Sequence, residues 1–280
     1  RFPRILAGVF VGASLALSGL LIQSLTRNPL ADPYLLGISS GALLGSGLAV
    51  LFHGFLHFIP YPYLLLFSSL LGGLFAFILT LILSEACGGT VFSLILAGLA
   101  VSTGLSGASV ILSYIIQLRY GTVIHWLMGS LSSITWRDSL MLALIFIPLA
   151  LVAELLWKRF DAILLGEDHS MILGYSPVRT RRIIMVLSAV LTSLTVSIAG
   201  IIGFIGLIVP HMARGIIGCR HKELIPAVIL LGSTMMVASD TLARSILLPG
   251  WPGEMPVGAV TSFFGAPIFA YLIIRVSRRG

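Results

Sequence analysis

The sequence predicts an all-α, polytopic transmembrane helical bundle, about nine spans folded as a single domain over residues 1–280. Three observations carry this. Hydrophobic residues fill 58% of the 280 positions and charged residues only 10%, where a water-soluble domain carries about 25% charged residues. Mean hydropathy is +1.08. The apolar runs are about 15–25 residues long and lack the two-residue alternation of a barrel strand, and a helix needs about 20 such residues to cross the hydrocarbon core.

Taken in order, the spans are predicted at about 5–25, 34–53, 62–84, 91–117, 139–157, 183–199, 201–217, 224–247 and 257–276. The chain opens on Arg1 with no signal-peptide pattern ahead of its first span. Polar or Pro/Gly-marked joints separate the spans: Arg27-Asn28-Pro29, His57 to Pro62, Glu85 to Thr90, Arg119 to Thr122, the central loop, Gly218 to Glu223, and Pro249 to Pro256. Between Trp126 and Trp136 the apolar piece is too short to cross and reads as a short helix or re-entrant segment at the outer face, tolerated where it is buried in protein or lines a cavity. Small residues recur at helix-packing spacing in Gly8 and Gly12, Ser14 and Ser18, Gly41 and Gly45, and Gly104 and Ala108. Gly200, Gly203 and Gly206, with Pro210 beyond, predict a kinked or broken span. A faint internal echo pairs Arg1-x-x-Arg4-Ile5 with Arg179-x-x-Arg182-Ile183 and the Gly19–Pro29 spacing with Gly200–Pro210, suggesting a duplicated ancestor.

Lysine and arginine set the orientation, because cytoplasmic loops hold them in excess. With the central loop inside, 12 of the 17 basic residues fall inside and only Arg1, Arg4, Arg119, Arg137 and Arg244 outside. The net charge of +7 follows from this bias and implies no nucleic acid. Cys87 and Cys219 both fall inside, where thiols stay reduced, and form no disulfide framework or metal spacing.

The central stretch from Lys158 to Arg182 holds 8 of the chain's 27 charged residues in 25 positions, a water-facing island between two apolar blocks. Within it, Asp161 to Leu173 has a helix-like apolar pattern, Gly174 is placed as a C-cap, and Ser176-Pro177 ends the run. A short amphipathic unit exposed at a membrane surface is either a solvated loop or a docking element for a soluble partner.

Other chemistries find little support. Gly37-Ile38-Ser39-Ser40-Gly41 matches the G-x-S-x-G nucleophile elbow, with His53, His57, His125 or His211 as a candidate base, but that motif needs a strand–turn–helix setting and here it opens an apolar helix. The histidines have no metal-ligand spacing and read as interfacial or loop residues. Glu85, Asp138, Asp240 and Glu254 all lie near helix ends and Glu154 reaches the cytoplasmic surface, so no span centre offers an acid for proton coupling. The only lysines, Lys158 and Lys222, sit in no phosphate-binding G-x-x-x-x-G-K-[ST] loop, so any ATPase is a separate subunit. No cofactor is expected on this chain.

Five blocks in order then resemble one family closely: Arg1-Phe2-Pro3-Arg4 leading to Ser18-Gly19, Gln23, Asn28-Pro29-Leu30-Ala31-Asp32-Pro33 and Leu36 to Ala42; Trp126-Leu127-Met128-Gly129 with Trp136-Arg137; Leu165-Gly166-Glu167 with Leu173-Gly174; Ala199-Gly200 with Gly203 to His211; and Asp240 to Arg244, Glu254 to Gly258 and Gly265-Ala266-Pro267. The chain resembles the permease subunit of the type II ABC importers, which take up cobalamin, haem and iron–siderophore complexes. The resemblance runs from Arg1 to about Arg275. It implies a ten-helix fold working as a homodimer in the cell (inner) membrane, two ATP-binding-cassette ATPase subunits that hold ATP and Mg²⁺, and an extracytoplasmic substrate-binding protein. The family's first helix would precede Arg1, so its absence is expected to be a truncation.

The resemblance also assigns roles. In the loop at 159–182, Leu165, Gly166, Glu167, Asp168, His169, Ser170, Leu173 and Gly174 would couple to the ATPase. Arg1, Arg4 and Arg244 would dock the binding protein at the outer mouth, their alternative being simple snorkelling at a helix end. Asn28, Pro29 and Leu30 would narrow the inner end of the path, with the turn at Gly88, Gly89 and Thr90 as a companion gate. Iron–siderophore is the first expectation for cargo, with haem, cobalamin or an oxyanion such as molybdate still open. A stand-alone secondary transporter or channel and an intramembrane protease are the competing classes.

Overall fold

The computed structural model describes residues 1–55, 58–120, 129–246 and 254–277. Eleven α-helices follow one another among them: α1 Phe2–Thr26, α2 Ile38–Phe52, α3 Tyr61–Ala86, α4 Val91–Tyr120, α5 Trp136–Leu155, α6 Trp157–Leu164, α7 Glu167–Ile172, α8 Pro177–Ala199, α9 Ile205–Ile217, α10 His221–Ser245 and α11 Val257–Ser277. Six of these (α1, α3, α4, α5, α8 and α10) are long and apolar enough to cross a membrane, and three shorter apolar helices lie at Ile38–Phe52, Ile205–Ile217 and Val257–Tyr271. The nine predicted runs are therefore all helical. At about 1.5 Å per residue, α2 and α9 fall short of the roughly 30 Å hydrocarbon core.

Both short helices begin after a break. The 3₁₀ turn Pro33–Leu36 precedes α2, with Asp32 Oδ1 accepting from Tyr34 N at 2.8 Å. The break before α9 comes where the glycine triplet predicts it: Gly200 ends α8 and Phe204, at φ 68°, opens α9. The two breaks are stitched together. The Tyr34 hydroxyl donates to Ile202 O at 2.8 Å and accepts from Ile202 N at 2.9 Å, which satisfies backbone groups that have no helical partner.

The interior is built on α1 and α8. In their most apolar windows 78% and 67% of residues are buried, against 22% for α4 and α5. They cross through hydroxyls: Ser18 Oγ donates to Ser188 O at 3.1 Å and lies 2.8 Å from Thr192 Oγ1. α1 packs on α9 and α10, while α8 packs on α2 and α3. Close approach is what the small residues provide. A Cβ on Gly12 would fall 2.2 Å from Gly232 O, and one on Gly19 only 1.8 Å from Gly206 O. Gly41 and Gly45 likewise meet the backbone of α3 at Gly72 and Ser68. That contact accounts for the G-x-S-x-G spacing: Ser39 is buried in a helix and the flanking Gly41 is a packing position. Gly104 departs from the expectation, because nothing lies within 4 Å of its Cβ position.

Two further expectations are narrowed or changed. The described part of the outer segment, 129–135, is not helical and turns at 132–133. Ser130 N donates to Ala199 O at 2.9 Å and Gly129 O accepts from Gly258 N at 3.2 Å, so of the two expected forms these residues fit the irregular one, held by backbone pairing to Ala199 and to Gly258 in α11. Trp126, Leu127 and Met128 lie outside the described residues, as do His57, His125, Arg278 and Arg279. The pattern from Asp161 to Leu173 is not one helix but two, α6 and α7, because Gly166 sits at φ 121°, ψ 160°. Gly174 does close α7 with a left-handed φ of 80°. Ser176-Pro177 starts α8 rather than merely ending the loop: Ser176 Oγ accepts from Arg179 N, and proline suits the first turn, where its missing N–H is not needed.

Candidate functional site

The predicted cytoplasmic island folds as the unit α6–α7. α6 turns Phe160, Ala162 and Ile163 inward, all buried. α7 does the reverse. Leu165, Met171, Ile172 and Leu173 are exposed, Ile172 at 82%, beside exposed Glu167, Asp168 and His169. Ser170 differs from its predicted companions. It is fully buried, and its Oγ donates to Tyr175 O at 3.1 Å, pinning the turn closed. An exposed apolar row flanked by carboxylates is a candidate interaction surface.

Three kinds of contact hold this unit to the bundle. Arg27 Nε donates to Ile163 O at 3.1 Å. Glu167 pairs with Arg181 at the start of α8, and the Arg159 guanidinium lies 5.4 Å from the Tyr175 ring centre. The third contact is largely buried, with Asp161 at its partly exposed edge. Asp161 Oδ1 accepts from His221 N at 3.0 Å and from His221 Nδ1 at 2.7 Å, and His221 Nε2 lies 2.7 Å from Ser24 Oγ. Burial alone would push the Asp161 carboxyl up, but the His221 hydrogen bonds and the nearby Arg220 charge hold it below its ordinary value. His221 is thus no loop residue but the fully buried first residue of α10. No spacing signals this trio, since its members stand 137 and 60 positions apart along the chain and meet only on folding.

The three arginines predicted at the outer mouth line one cleft, and two of them, Arg4 and Arg244, pair with acids. Arg4 Nε lies 3.0 Å from both Asp240 oxygens, Arg4 Nη2 donates to Asp240 Oδ1 at 2.8 Å, and Arg4 also pairs with Glu254. Arg244 Nε stands 3.3 Å from Asp240 Oδ2. Arg1, Arg4, Arg244, Thr241 and Glu254 line a polar cleft of about 510 Å³. Arg4 is therefore engaged in joining α1 to α10, and the more accessible cations of the cleft are Arg1 and Arg244.

The two turns predicted as the inner gate lie near one another at the end of α1. Asn28 Oδ1 accepts from Leu30 N at 2.9 Å, so the Asn-Pro turn closes on itself after Arg27, whose φ is 50°. In the companion turn Gly88 and Gly89 are both at positive φ, and Thr90 Oγ1 accepts from Ser93 N at 3.0 Å. Thr26, Gly89, Thr90, Arg181 and Arg182 line a cleft of about 320 Å³ that links the end of α1 to this turn. Gln23, one position before Ser24, donates to Leu207 O at 3.2 Å and accepts from Arg214, fastening α1 to α9. Among the described residues no group of three or more His, Cys, Asp or Glu side chains could hold a metal ion.

Comparison with known proteins supplies the context. The model of the FecCD transport family matches residues 1–275. The hemin transport system permease protein HmuU of Yersinia pestis is 40% identical over 286 residues, covering 98% of this chain and 82% of that one. The molybdate import system permease protein MolB of Haemophilus influenzae is 34% identical, covering 100% of this chain and 81% of that one. A solved chain, described as an inward-facing conformation of an ABC transporter assigned to the metal-chelate type, superposes with a TM-score of 0.85 at 33% identity over 98% of this chain and 86% of that one.

Proposed function

The chain belongs to the FecCD transport family, whose members here are ABC transporter permeases and not enzymes, and on that premise we propose that it is the membrane subunit of an importer for metal chelates. ATP is hydrolysed on a separate subunit. The observation that carries the reading is the exposed apolar row of Leu165, Met171, Ile172 and Leu173 on and beside α7, bounded by Glu167 and Asp168. Its occupant is a cleft on an ATP-binding-cassette subunit that holds ATP and Mg²⁺. Gly166 and Gly174 set the angle of the unit, Ser170 locks it, and Glu167, Asp168 and His169 form its polar rim.

The working unit is a homodimer in the inner membrane. The open face of α4 around Gly104 and Gly107, where added Cβ atoms would meet nothing, supports a second copy packed there. Two ATPase subunits bind inside and a substrate-binding protein docks outside on Arg1 and Arg244, with Arg4 holding the mouth in shape. Cargo passes from that receptor into a path whose inner end is narrowed by Asn28, Pro29 and Leu30, with Gly88, Gly89 and Thr90 as companion gate. ATP biases the two access states only through its different affinity for them. Relatives named for hemin and for molybdate match this chain comparably, so the finer assignment is our own: iron–siderophore first, haem or cobalamin next.

The test is purification of the full-length chain from its native membrane, followed by identification of what accompanies it. We expect an ATP-binding-cassette subunit to co-purify, and an Ile172→Asp variant to lose it while remaining folded. A homo-oligomer that moves cargo in proteoliposomes without any ATPase would overturn the reading.

A further inference from the structure

The cytoplasmic unit is joined to the bundle unevenly. α7, which carries the exposed row, meets α8 through the Arg181–Glu167 pair, and both of these side chains are almost half exposed. Such a pair is screened and readily replaced by water. The connection from α6 is of another kind. One oxygen of Asp161 receives both the backbone N–H and the ring Nδ1–H of His221, so α6 grips the first residue of α10, where Arg220 supplies no side-chain cap. The same ring reaches across to Ser24 in α1 through Nε2, and Ser24 Oγ is also 2.8 Å from Leu20 O. Phe160 closes the site with its ring edge-on to His221 at 5.8 Å. Ser24, Phe160 and His221 are all fully buried. The connectivity is that of a hydrolase Ser-His-Asp triad, but sealed side chains cannot meet a substrate.

A hydrogen-bonded network that is largely buried holds its members at fixed separations. Here those members belong to three helices, one outside the bilayer and two within it. Ser24 stands less than a turn from Arg27, and Arg27 leads directly into Asn28-Pro29-Leu30. Arg27 itself returns to α6 at Ile163 O. Any shift of α6 is therefore delivered to the inner end of α1 along two short, buried or half-buried routes, one of them through a single imidazole.

We propose that His221 is a positioning residue for transport: through Asp161 on one side and Ser24 on the other, it passes displacement of the cytoplasmic helix α6 to the inner end of α1 and so to the loop at Asn28 to Leu30. The proposal rests on the reading of α6–α7 as the ATPase-contacting unit and adds the route by which motion leaves it. Asp161 and Ser24 are the two joints of the strut and His221 is its body.

The experiment uses the assembled transporter, with its ATPase subunits, in lipid nanodiscs. Cys87 and Cys219 are replaced by serine. A spin label is placed at Lys158→Cys on α6 in one sample and at Leu30→Cys on the gate loop in another. Distances between the two copies are compared without nucleotide and after trapping with ATP and vanadate. We expect both reporters to shift on trapping in the parent. In His221→Phe, which keeps the ring volume and removes the bonds, the shift at position 158 persists and the shift at position 30 falls by at least half. Ser24→Ala, a milder change that cuts only the last joint, gives the same pattern and covers the case in which His221→Phe fails to fold. A merely structural role would lower the unfolding temperature and leave the position 30 shift intact. A parent-sized shift at position 30 in both variants overturns the proposal. Absence of any ATP-dependent shift at position 158 in the parent instead refutes the ATPase-contact reading beneath it.

Discussion

Gly166 gives the sharpest test of how the cytoplasmic unit is presented. Its φ of 121° and ψ of 160° lie in a region that essentially only glycine occupies. Space is not the constraint, since a Cβ there would meet only His169 Nδ1 at 3.5 Å, an ordinary contact. The whole effect of Gly166→Ala is therefore backbone strain, about 1–3 kcal/mol. The α6–α7 joint can relieve it by swinging Gly166 into the extended region, which turns the exposed row of α7 away from its present direction. A penalty of that size corresponds to about a 5–150-fold loss of the original geometry. Affinity for a partner that needs that geometry falls by up to the same factor. Titration of the ATPase subunit onto the permease in nanodiscs measures it directly, with thermal unfolding in parallel to show that the bundle is intact. Gly174→Asn is the control: φ is 80°, nothing lies within 4 Å, and asparagine tolerates left-handed backbone. Wild-type affinity in a folded Gly166→Ala variant would refute the argument that this turn presents the docking surface.

Three further outcomes follow from the packing and the charges. Gly19→Ala forces a Cβ to within 1.8 Å of Gly206 O, a backbone atom that cannot rotate away, so the unfolding temperature should fall with a loss of about 1–3 kcal/mol or more; Gly104→Ala should leave it unchanged. Asp240→Ala leaves the largely buried Arg4 with the half-exposed Glu254 as its remaining carboxylate and should cost about 1–3 kcal/mol by chemical unfolding in detergent, whereas Glu254→Gln, at a 43% exposed side chain, should cost no more than about 1 kcal/mol. The pH dependence follows from Asp161. Its folded value is depressed, so its contribution is present above the ordinary carboxylate value and is lost as pH falls through the depressed one. The difference in unfolding temperature between wild type and Asp161→Asn should be constant at neutral pH and shrink below about pH 4, and a difference that grows on acidification would contradict the sign.

Much of this protein was legible before folding because its signals are local or additive. Hydropathy sums along the chain, so nine apolar helices could be placed, and the break at Gly200 to Phe204 follows from glycine's weak helix propensity. The orientation rests on a count of basic residues. Gly174 was readable as a C-cap because few other residues adopt its left-handed backbone, whereas Gly166 lay inside one helix-like pattern and only the structure showed the break there. Blocks such as Asn28-Pro29-Leu30 with Leu165-Gly166-Glu167 were enough to recognise the family.

What only the tertiary structure decided is the pairing of single polar groups far apart in the chain. Arg4 and Asp240, separated by 236 positions, join on folding and tie a predicted docking cation to α10. His221 looked like a loop histidine because its neighbours Arg220 and Lys222 are polar, yet it is sealed between Asp161 and Ser24. Small-residue spacing could not say which pairs face a neighbour: Gly12 and Gly19 meet backbone, and Gly104 meets open space. The physical reason is common to all three. A buried polar group needs a partner, but nothing in a linear sequence records which distant residue supplies it until the helices have set their crossing points.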